Sequence, residues 1–283
     1  MQSVEGRVAV VTGAASGMGL GMVQSFAEAG MRVVAADLRA DALDGAVATL
    51  RAQGHDVIGV PTDVSKLSDV EALASATMDA FGAVHVLCNN AGVGMFSRLA
   101  NTSIDDWEWV IGVNLWGPIY GIKVFLPLIE QQDEGHINAT SSVAGLVAGA
   151  TAGPYNVAKH GVVALMATLE RELRAAKSTV RASVLCPGAV NTDIGRNSVE
   201  LRRARRGRPD ATPARSSAGE KLGSKMAEAL AGGMAPRAVG QLVLDAILRD
   251  QFWIFTEPRL LRLLQDQVEA MVDDASLTSL RLV

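Results

Sequence analysis

Tyr155 and Lys159 are the first pair of residues whose types and spacing suggest chemistry. They stand four positions apart in a segment predicted to be helical, residues 155–176, so both side chains lie on one helix face. A free phenol has a pKa of about 10 and is a poor base at neutral pH, but an adjacent ammonium favours the tyrosinate. The pair therefore predicts a general acid and base, the alternative being an ordinary face of an amphipathic helix.

A glycine-rich turn between the first predicted strand and the first predicted helix indicates a second function. It reads TGAASGMG over residues 12–19. Glycines in this place let a pyrophosphate approach the backbone, and the N–H groups at the helix N-terminus hold its charge. Asp37 closes the second strand at about the distance expected for the carboxylate that binds an adenosine ribose. A dinucleotide site is predicted, with a plain βα turn as the alternative.

Strand and helix signals alternate along the chain and would bring these residues together. The strand signals are short, β-branched and almost wholly apolar, which is typical of parallel strands buried on both faces. One long helix is predicted within residues 104–130. The seven predicted strands cover residues 7–12, 32–37, 56–60, 83–88, 135–141, 180–186 and 252–255. The pattern predicts an α/β fold, a parallel sheet with helices on both faces.

Two regions depart from this alternation. Residues 191–235 show no clear period, and we expect a long mobile loop that covers the substrate. Seven arginines between positions 196 and 215 make this loop basic, so it is either a solvated cover or one that meets an anionic substrate. The tail, residues 256–283, begins with a helix whose apolar face carries Leu260, Leu261, Leu264, Val268 and Met271.

Composition excludes several classes of protein. Of 283 residues, 49% are hydrophobic and 20% charged, with a net charge of −4, so we expect a globular protein that binds no nucleic acid. Cys88 and Cys186 are too few for a disulfide framework and indicate free thiols in the cytoplasm. The four histidines lack metal-ligand spacing, so no metal is predicted. We expect neither a signal peptide nor a membrane span.

Six motifs, in order over about residues 5–192, resemble the compact, single-domain branch of the short-chain dehydrogenase/reductase family. One such motif would be weak, but six in sequence are specific. They are the turn at 12–19, Asn-Asn-Ala-Gly at 89–92, Asn114, Ser142, Tyr155-x-x-x-Lys159 and Pro187-Gly188. The resemblance implies a single three-layer, doubly wound Rossmann domain over residues 1–283, with strand order 3-2-1-4-5-6-7.

The resemblance also implies a catalytic tetrad. Tyr155 would be the general acid and base, and Lys159 would lower its pKa and bind the nicotinamide ribose. Ser142 would hydrogen-bond the reacting oxygen, with Ser141 as the alternative in register. Asn114 would hold a water that relays protons through Lys159.

The cofactor contacts implied by the turn, by Asp37 and by the resemblance extend along the chain. Residues 63–64 would contact the adenine, residues 90–92 the ribose side, and residues 187–192 the nicotinamide carboxamide. The predicted set is Gly13, Ser16, Gly17, Met18, Gly19, Asp37, Asp63, Val64, Asn90, Ala91, Gly92, Tyr155, Lys159, Pro187, Gly188, Val190 and Thr192.

These residues predict an NAD-dependent oxidoreductase that interconverts a secondary alcohol and a ketone. Asp37 favours NAD because a carboxylate repels the 2′-phosphate of NADP, although Arg39 could accommodate that phosphate. Substrate walls are expected from residues 93–96, 142–154 and 191–235. Their composition indicates a largely apolar small molecule.

Two other functions stay open at this point. The enzyme could reduce an anionic acyl thioester of the 3-oxoacyl type, or the chain could be a non-catalytic dinucleotide sensor. The resemblance implies a homo-oligomer, a tetramer or a dimer.

Overall fold

The computed structural model describes residues 1–207, 230–257 and 260–272, and places seven parallel strands in one sheet. The strand order is β3-β2-β1-β4-β5-β6-β7, so the predicted fold class and order are confirmed. The strands are β1 (Val8–Thr12), β2 (Arg32–Asp37), β3 (Val57–Pro61), β4 (Val86–Asn89), β5 (Gly135–Thr140), β6 (Val180–Cys186) and β7 (Trp253–Phe255).

Helices cover both faces of the sheet. Helices α1, α2 and α8 enclose one apolar core, and helices α3, α5 and α6 enclose the other. Every residue of β1 is buried, with Ala9 and Val11 in the first core and Val10 in the second. The helices are α1 (Gly17–Glu28), α2 (Ala40–Ala52), α3 (Leu67–Phe81), α4 (Ile104–Ile111), α5 (Gly117–Ile129), α6 (Gly153–Ala175), α7 (Ile194–Arg205), α8 (Pro236–Leu248) and α9 (Leu260–Val272).

Two helices on the first face touch through their backbones. A Cβ added at Gly21 of α1 would lie 2.2 Å from the carbonyl oxygen of Pro236, the first residue of α8. A Cβ at Gly240 would lie 2.2 Å from the carbonyl oxygen of Gly21. Only glycine fits at either position, and this contact fixes the helix whose N-terminus follows the glycine-rich turn.

The single long helix predicted within residues 104–130 is interrupted. A π-helical turn, Gly112–Trp116, separates α4 from α5. Pro118 has no N–H to donate to the carbonyl of Asn114 four residues earlier, which removes one bond of the α-helical ladder. At this turn the side-chain amide of Asn114 is wholly buried and forms two hydrogen bonds of 2.8 Å with the backbone of Val93.

The predicted irregular loop at residues 191–235 is partly helical, so that expectation was wrong for α7. Residues 208–229, which include Arg208 and Arg215, lie outside the described residues. The tail forms the expected amphipathic helix as α9, and residues 258–259 and 273–283 also lie outside.

Helices α4 and α5 together have the length and hydropathy of a membrane span, which the sequence analysis did not expect. The stretch Ile104–Ile129 has 26 residues, its most apolar 18-residue window has a mean hydropathy of 1.3, and within the described ranges it alone meets both criteria. A core helix meets them too, and Phe125 and Ile129 are fully buried in the second core. Only 39% of its most apolar window is buried, however, which leaves an apolar face uncovered.

Candidate active site

A cavity of about 580 Å³ opens at the carboxyl ends of the strands. The loops after β1 and β4 both contribute to it, and the direction of winding reverses between these two strands. Open α/β sheets bind their ligands in the crevice at such a switch point. All of the predicted site residues line this cavity except Gly19 and Asn114, which lie behind its wall.

The glycine-rich turn forms the floor at one end of the cavity. Gly13 and Gly17 have φ angles of +67° and +55°, which favour glycine. A Cβ at Gly13 would lie 2.8 Å from the Cα of Ala91, and one at Gly19 would lie 2.1 Å from the carbonyl oxygen of Gly13. The turn therefore exposes bare backbone at the N-terminus of α1, and this cradle fits a pyrophosphate.

Asp37 and Arg39 meet at the rim above this turn. The Oδ2 of Asp37 accepts a 3.0 Å hydrogen bond from the N–H of Ala15, and its Oδ1 accepts one of 3.0 Å from the N–H of Arg39. The guanidinium of Arg39 donates to Oδ1 at 3.4 Å and to the hydroxyl of Ser16 at 2.7 Å. The carboxylate is thus held rigidly, with the arginine beside it rather than swung away.

Hydrogen bonds at the ends of β1, β4 and β5 fix the back wall. The hydroxyl of Thr12 accepts from the N–H groups of Asn90 and Ala91 at 3.0 and 3.1 Å. The amide of Asn90 donates to the carbonyl of Thr12 at 3.0 Å and accepts from the hydroxyl of Thr140 at 3.2 Å. Asn90 therefore joins three strand ends and places residues 90–92 along the cavity.

Tyr155, Lys159 and Ser142 come together on the opposite wall. Helix α6 presents Tyr155 and Lys159 one turn apart, and the Nζ of Lys159 lies 5.6 Å from the centre of the Tyr155 ring. Ser142 follows β5 and lines the same cavity, and its hydroxyl accepts a hydrogen bond of 3.1 Å from the N–H of Ala144. Ser141, the alternative in register, donates instead to the carbonyl of Lys159 at 2.8 Å and so supports α6.

The pKa values of this group follow from burial. Burial raises the pKa of the Tyr155 phenol above its usual value, and the hydrogen bond from Ser142 opposes that rise. Burial lowers the pKa of Lys159 to about 8, and its Nζ donates to the carbonyl of Thr140 at 2.7 Å. The expected lowering of the Tyr155 pKa by Lys159 is not seen, because desolvation of the phenol dominates.

Asn114 lies behind Tyr155 and Lys159. A Cβ at Gly92 would lie 3.4 Å from the Oδ1 of Asn114 and 3.6 Å from the Nζ of Lys159. Gly92 thus separates the amide from the ammonium by a single layer of backbone. The hydrogen bonds to Val93 hold the amide in this place and also hold the start of the loop after β4.

The loops after β3 and β6 complete the cofactor side. The Oδ1 of Asp63 accepts from the N–H and hydroxyl of Ser65 at 3.1 and 2.6 Å, which closes a turn on itself. The N–H of Gly188 donates to the hydroxyl of Thr256 at 3.0 Å. Thr256 follows β7, so residues near the end of the sheet support the predicted carboxamide segment, a role that the sequence analysis missed.

The expected substrate walls were wrong in part. Of residues 93–96 only Val93 lines the cavity, and of 142–154 only Ser142 does. Residues 97 and 151 join by a backbone hydrogen bond of 2.7 Å, so the two segments pack against each other, with Met95 and Val147 buried. The predicted segment 191–235 does line the cavity, through residues that include Ile194, Asn197, Leu201, Ala204, Arg205 and Leu230. The part of the wall that the sequence analysis missed is Trp109 of α4 and Val113 of the π-helical turn.

Comparison with known proteins agrees with this geometry. The profile described as short chain dehydrogenase matches residues 7–202. The 1-deoxy-11-beta-hydroxypentalenate dehydrogenase of Streptomyces avermitilis is 38% identical over 201 residues, 69% of this chain and 73% of that protein. The C alpha-dehydrogenase of a Sphingobium species is 37% identical over 209 residues, 73% of this chain and 68% of that one.

A solved structure is similar over nearly the whole length. A short chain dehydrogenase/reductase from Burkholderia phymatum, in complex with NAD, superposes with a TM-score of 0.90 at 40% identity and covers 98% of each chain. A dinucleotide cradle and a proton-transferring pair in one cavity define oxidoreductases that use a nicotinamide cofactor on a small molecule. The chain belongs to the short-chain dehydrogenase/reductase family, as its motifs predicted.

Proposed function

We propose that this chain interconverts a secondary alcohol and a ketone and prefers NAD as its cofactor. The observation that carries the proposal is the meeting of Ser142, Tyr155 and Lys159 on the wall that faces the glycine-rich turn. The carboxylate of Asp37 supports NAD, because it can accept a hydrogen bond from a 2′-hydroxyl and repels a 2′-phosphate. The hydroxypentalenate dehydrogenase among the relatives supports a hydroxyl group as the reacting function.

Each side chain has a defined task in this reaction. Tyr155 gives its phenolic proton to the ketone oxygen during reduction and takes a proton from the alcohol during oxidation. Ser142 donates a hydrogen bond that orients the reacting oxygen, and Lys159 binds the ribose next to the nicotinamide. The bound nicotinamide supplies or accepts the hydride.

The substrate that fits best is largely apolar. Val93, Trp109, Val113 and Leu201 form the wall next to Tyr155. The arginines in the last turn of α7 and directly after it support this choice over an anionic thioester, because three of them are already paired. Arg202 and Arg206 bind Asp106, and Arg205, which lines the cavity, binds Asp105.

The test is a panel of apolar secondary alcohols with NAD, followed by NADH absorbance. Tyr155→Phe is expected to lower kcat by about 10²-fold or more while NADH binding, measured by fluorescence, is kept. Tyr120→Phe is the matched control, since this second tyrosine stacks on Trp116 away from the cavity. Near-native turnover by Tyr155→Phe would overturn the assignment, and the absence of turnover by wild type would favour the dinucleotide sensor.

We also infer that the protein works as a homo-oligomer. Trp116 and Val157 are exposed apolar residues on the long helix and on α6, where a second copy would cover them. A solution mass above 29.6 kDa that falls to this value in Val157→Glu supports the inference. The free, buried thiols of Cys88 and Cys186 suit the reducing cytoplasm.

A further inference from the structure

Asp106 is a buried carboxylate that the proposed reaction does not use. It lies in the first turn of α4, and its side chain is only 2% exposed. The Nε and Nη2 of Arg202 donate to its two oxygens, each at 2.6 Å, in a bidentate pair. Ser103 donates to it at 2.7 Å and Arg206 at 2.9 Å. A carboxylate so fully satisfied binds its partners tightly and in one geometry.

The pair joins two helix ends of opposite polarity. Asp105 and Asp106 stand at the N-terminus of α4, and Arg202 and Arg205 stand in the last turn of α7. Acidic residues stabilise the positive end of a helix dipole, and basic residues stabilise the negative end. Burial would raise the pKa of Asp106, but the hydrogen bonds from Arg202 and Ser103 outweigh burial and lower it.

Between these two helices lies a small apolar cluster that includes the catalytic tyrosine. Its buried members are Val93, Met95, Trp109 and Val110, and Val113, Tyr155 and Leu201 pack against them. Leu201 is the residue directly before Arg202. The Asp106–Arg202 ion pair thus lies at the edge of the apolar cluster that packs against the Tyr155 ring.

A second contact fixes the middle of α7. The hydroxyl of Ser198 accepts a hydrogen bond of 2.8 Å from the N–H of Gly94 and donates one of 2.6 Å to the carbonyl of Ile194. Helix α7 is therefore attached to the opposite wall at two points about one turn apart. The contacts of Ser198 and Arg202 thus join α7 to the loop after β4 and to α4.

We propose that Asp106 and Arg202 are positioning residues that set the separation of α4 and α7, and thereby the width of the substrate end of the cavity. Neither side chain lines the cavity as the described residues form it, so both act through Trp109, Val113 and Leu201. This inference rests on the proposed function in one respect: it takes the end of the cavity lined by Trp109, Val113 and Leu201 as the substrate end. The glycine-rich turn is a separate wall, so cofactor affinity should not depend on the pair.

The experiment compares Arg202→Ala with Arg203→Ala in the full chain. Arg203 is the next residue of the same helix and forms no ion pair within the described part of the chain, so it controls for loss of charge. Arg202→Ala is expected to raise KM for the best alcohol of the panel about tenfold or more, since small misplacements are costly in a preorganised site. The change in kcat should be smaller, and the dissociation constant for NADH should stay the same.

Amide hydrogen exchange over residues 194–205 gives a readout that does not need activity. Exchange should be faster in Arg202→Ala and as in wild type in Arg203→Ala. Arg202→Lys, which keeps the charge but loses the bidentate geometry, should lie between them. The double variant Asp106→Arg/Arg202→Asp should recover part of the wild-type KM if the pair itself matters.

Three results would overturn the proposal, and the first two are equal exchange in the two alanine variants and equal KM values. A rise in the NADH dissociation constant as large as the rise in KM would do so too, because it would show a general loosening. If wild type oxidises no alcohol, the proposed function fails, and the exchange measurement alone still decides whether the pair anchors α7.

Discussion

The Nζ of Lys159 donates a 2.7 Å hydrogen bond to the carbonyl oxygen of Thr140, the last residue of β5. This bond ties the middle of α6 to the strand end that carries Ser142. The positions of the phenol and of the serine hydroxyl are therefore set by one buried ammonium. Proton transfer at Tyr155 depends on this arrangement, and its pH dependence can be predicted.

Alcohol oxidation is expected to speed up as the pH rises, whereas ketone reduction should stay near its plateau until the pH approaches the raised pKa of Tyr155. Burial raises the pKa of Tyr155, so at neutral pH the phenol keeps its proton, as reduction requires. Oxidation requires the tyrosinate, so its rate should rise about tenfold per pH unit below that pKa. The measurement is kcat/KM in both directions from about pH 6 to about pH 10.

Ser142→Ala provides the companion measurement to this profile. The hydrogen bond from Ser142 lowers the pKa of the phenol, so its loss should move both profiles to higher pH. Rates independent of pH in both directions would contradict proton transfer by Tyr155.

Cofactor choice should depend on Asp37. Asp37→Ala is expected to reduce the preference for NAD over NADP about tenfold or more, since like charges placed together are costly. Arg39→Ala should weaken NADP and leave NAD little changed, because its guanidinium is the cation at this rim. The ratio of kcat/KM for the two cofactors measures both effects. A wild-type enzyme that prefers NADP would show that Arg39 outweighs the carboxylate.

Gly13→Ala should impair dinucleotide binding. The new Cβ would lie 2.8 Å from the Cα of Ala91, and φ is +67°, a strain of about 1–3 kcal/mol. We expect the NADH dissociation constant, from a fluorescence titration, to rise about tenfold or more. Gly45→Ala is the control, because this position in α2 has open space and should gain stability. Equal NADH affinity in both variants would speak against the cradle.

Stability should fall in acid because of His136. This side chain is fully buried, and burial lowers its pKa from about 6.5 to about 3. At a pH between these two pKa values, His136 is protonated in the unfolded chain but not in the folded chain. The free energy of unfolding should therefore decrease as the pH falls through this window, by at most about 1.4 kcal/mol per pH unit from this group.

Urea unfolding at several pH values measures the effect of His136. His136→Gln should reduce the slope while keeping a polar atom for Ser183, which contacts the ring at 2.8 Å. His55→Gln, outside the core, is the control and should keep the wild-type slope. A wild-type slope in His136→Gln would assign the acid sensitivity to other groups.

The features that the sequence predicted well are local ones. The glycine-rich turn lies within a single βα connection, and Tyr155 and Lys159 lie within one helix turn. Chain geometry alone therefore places their atoms together.

The substrate wall was predicted only in part, since the segment 191–235 includes Leu201 but nothing pointed to Trp109. Trp109 and Leu201 face the cavity because α4 and α7 pack in one particular orientation, and the ion pair that fixes it joins residues 106 and 202. The number of arginines in the sequence shows that the segment is basic, but it does not show which acidic residues bind them. Those partners lie in another helix and are found only once the fold brings the two ends together.

The glycine contact between α1 and α8 has a consequence for how the protein is made. Gly21 and Gly240 are in contact although most of the chain separates them in sequence. Helix α1 therefore gains the packing of α8 only after residues 236–248 leave the ribosome. Until then the helix that carries the cofactor turn has an uncovered flank. Dinucleotide affinity should thus arise late in synthesis, after the proton-transferring helix is already complete, and nascent chains cannot retain the cofactor early.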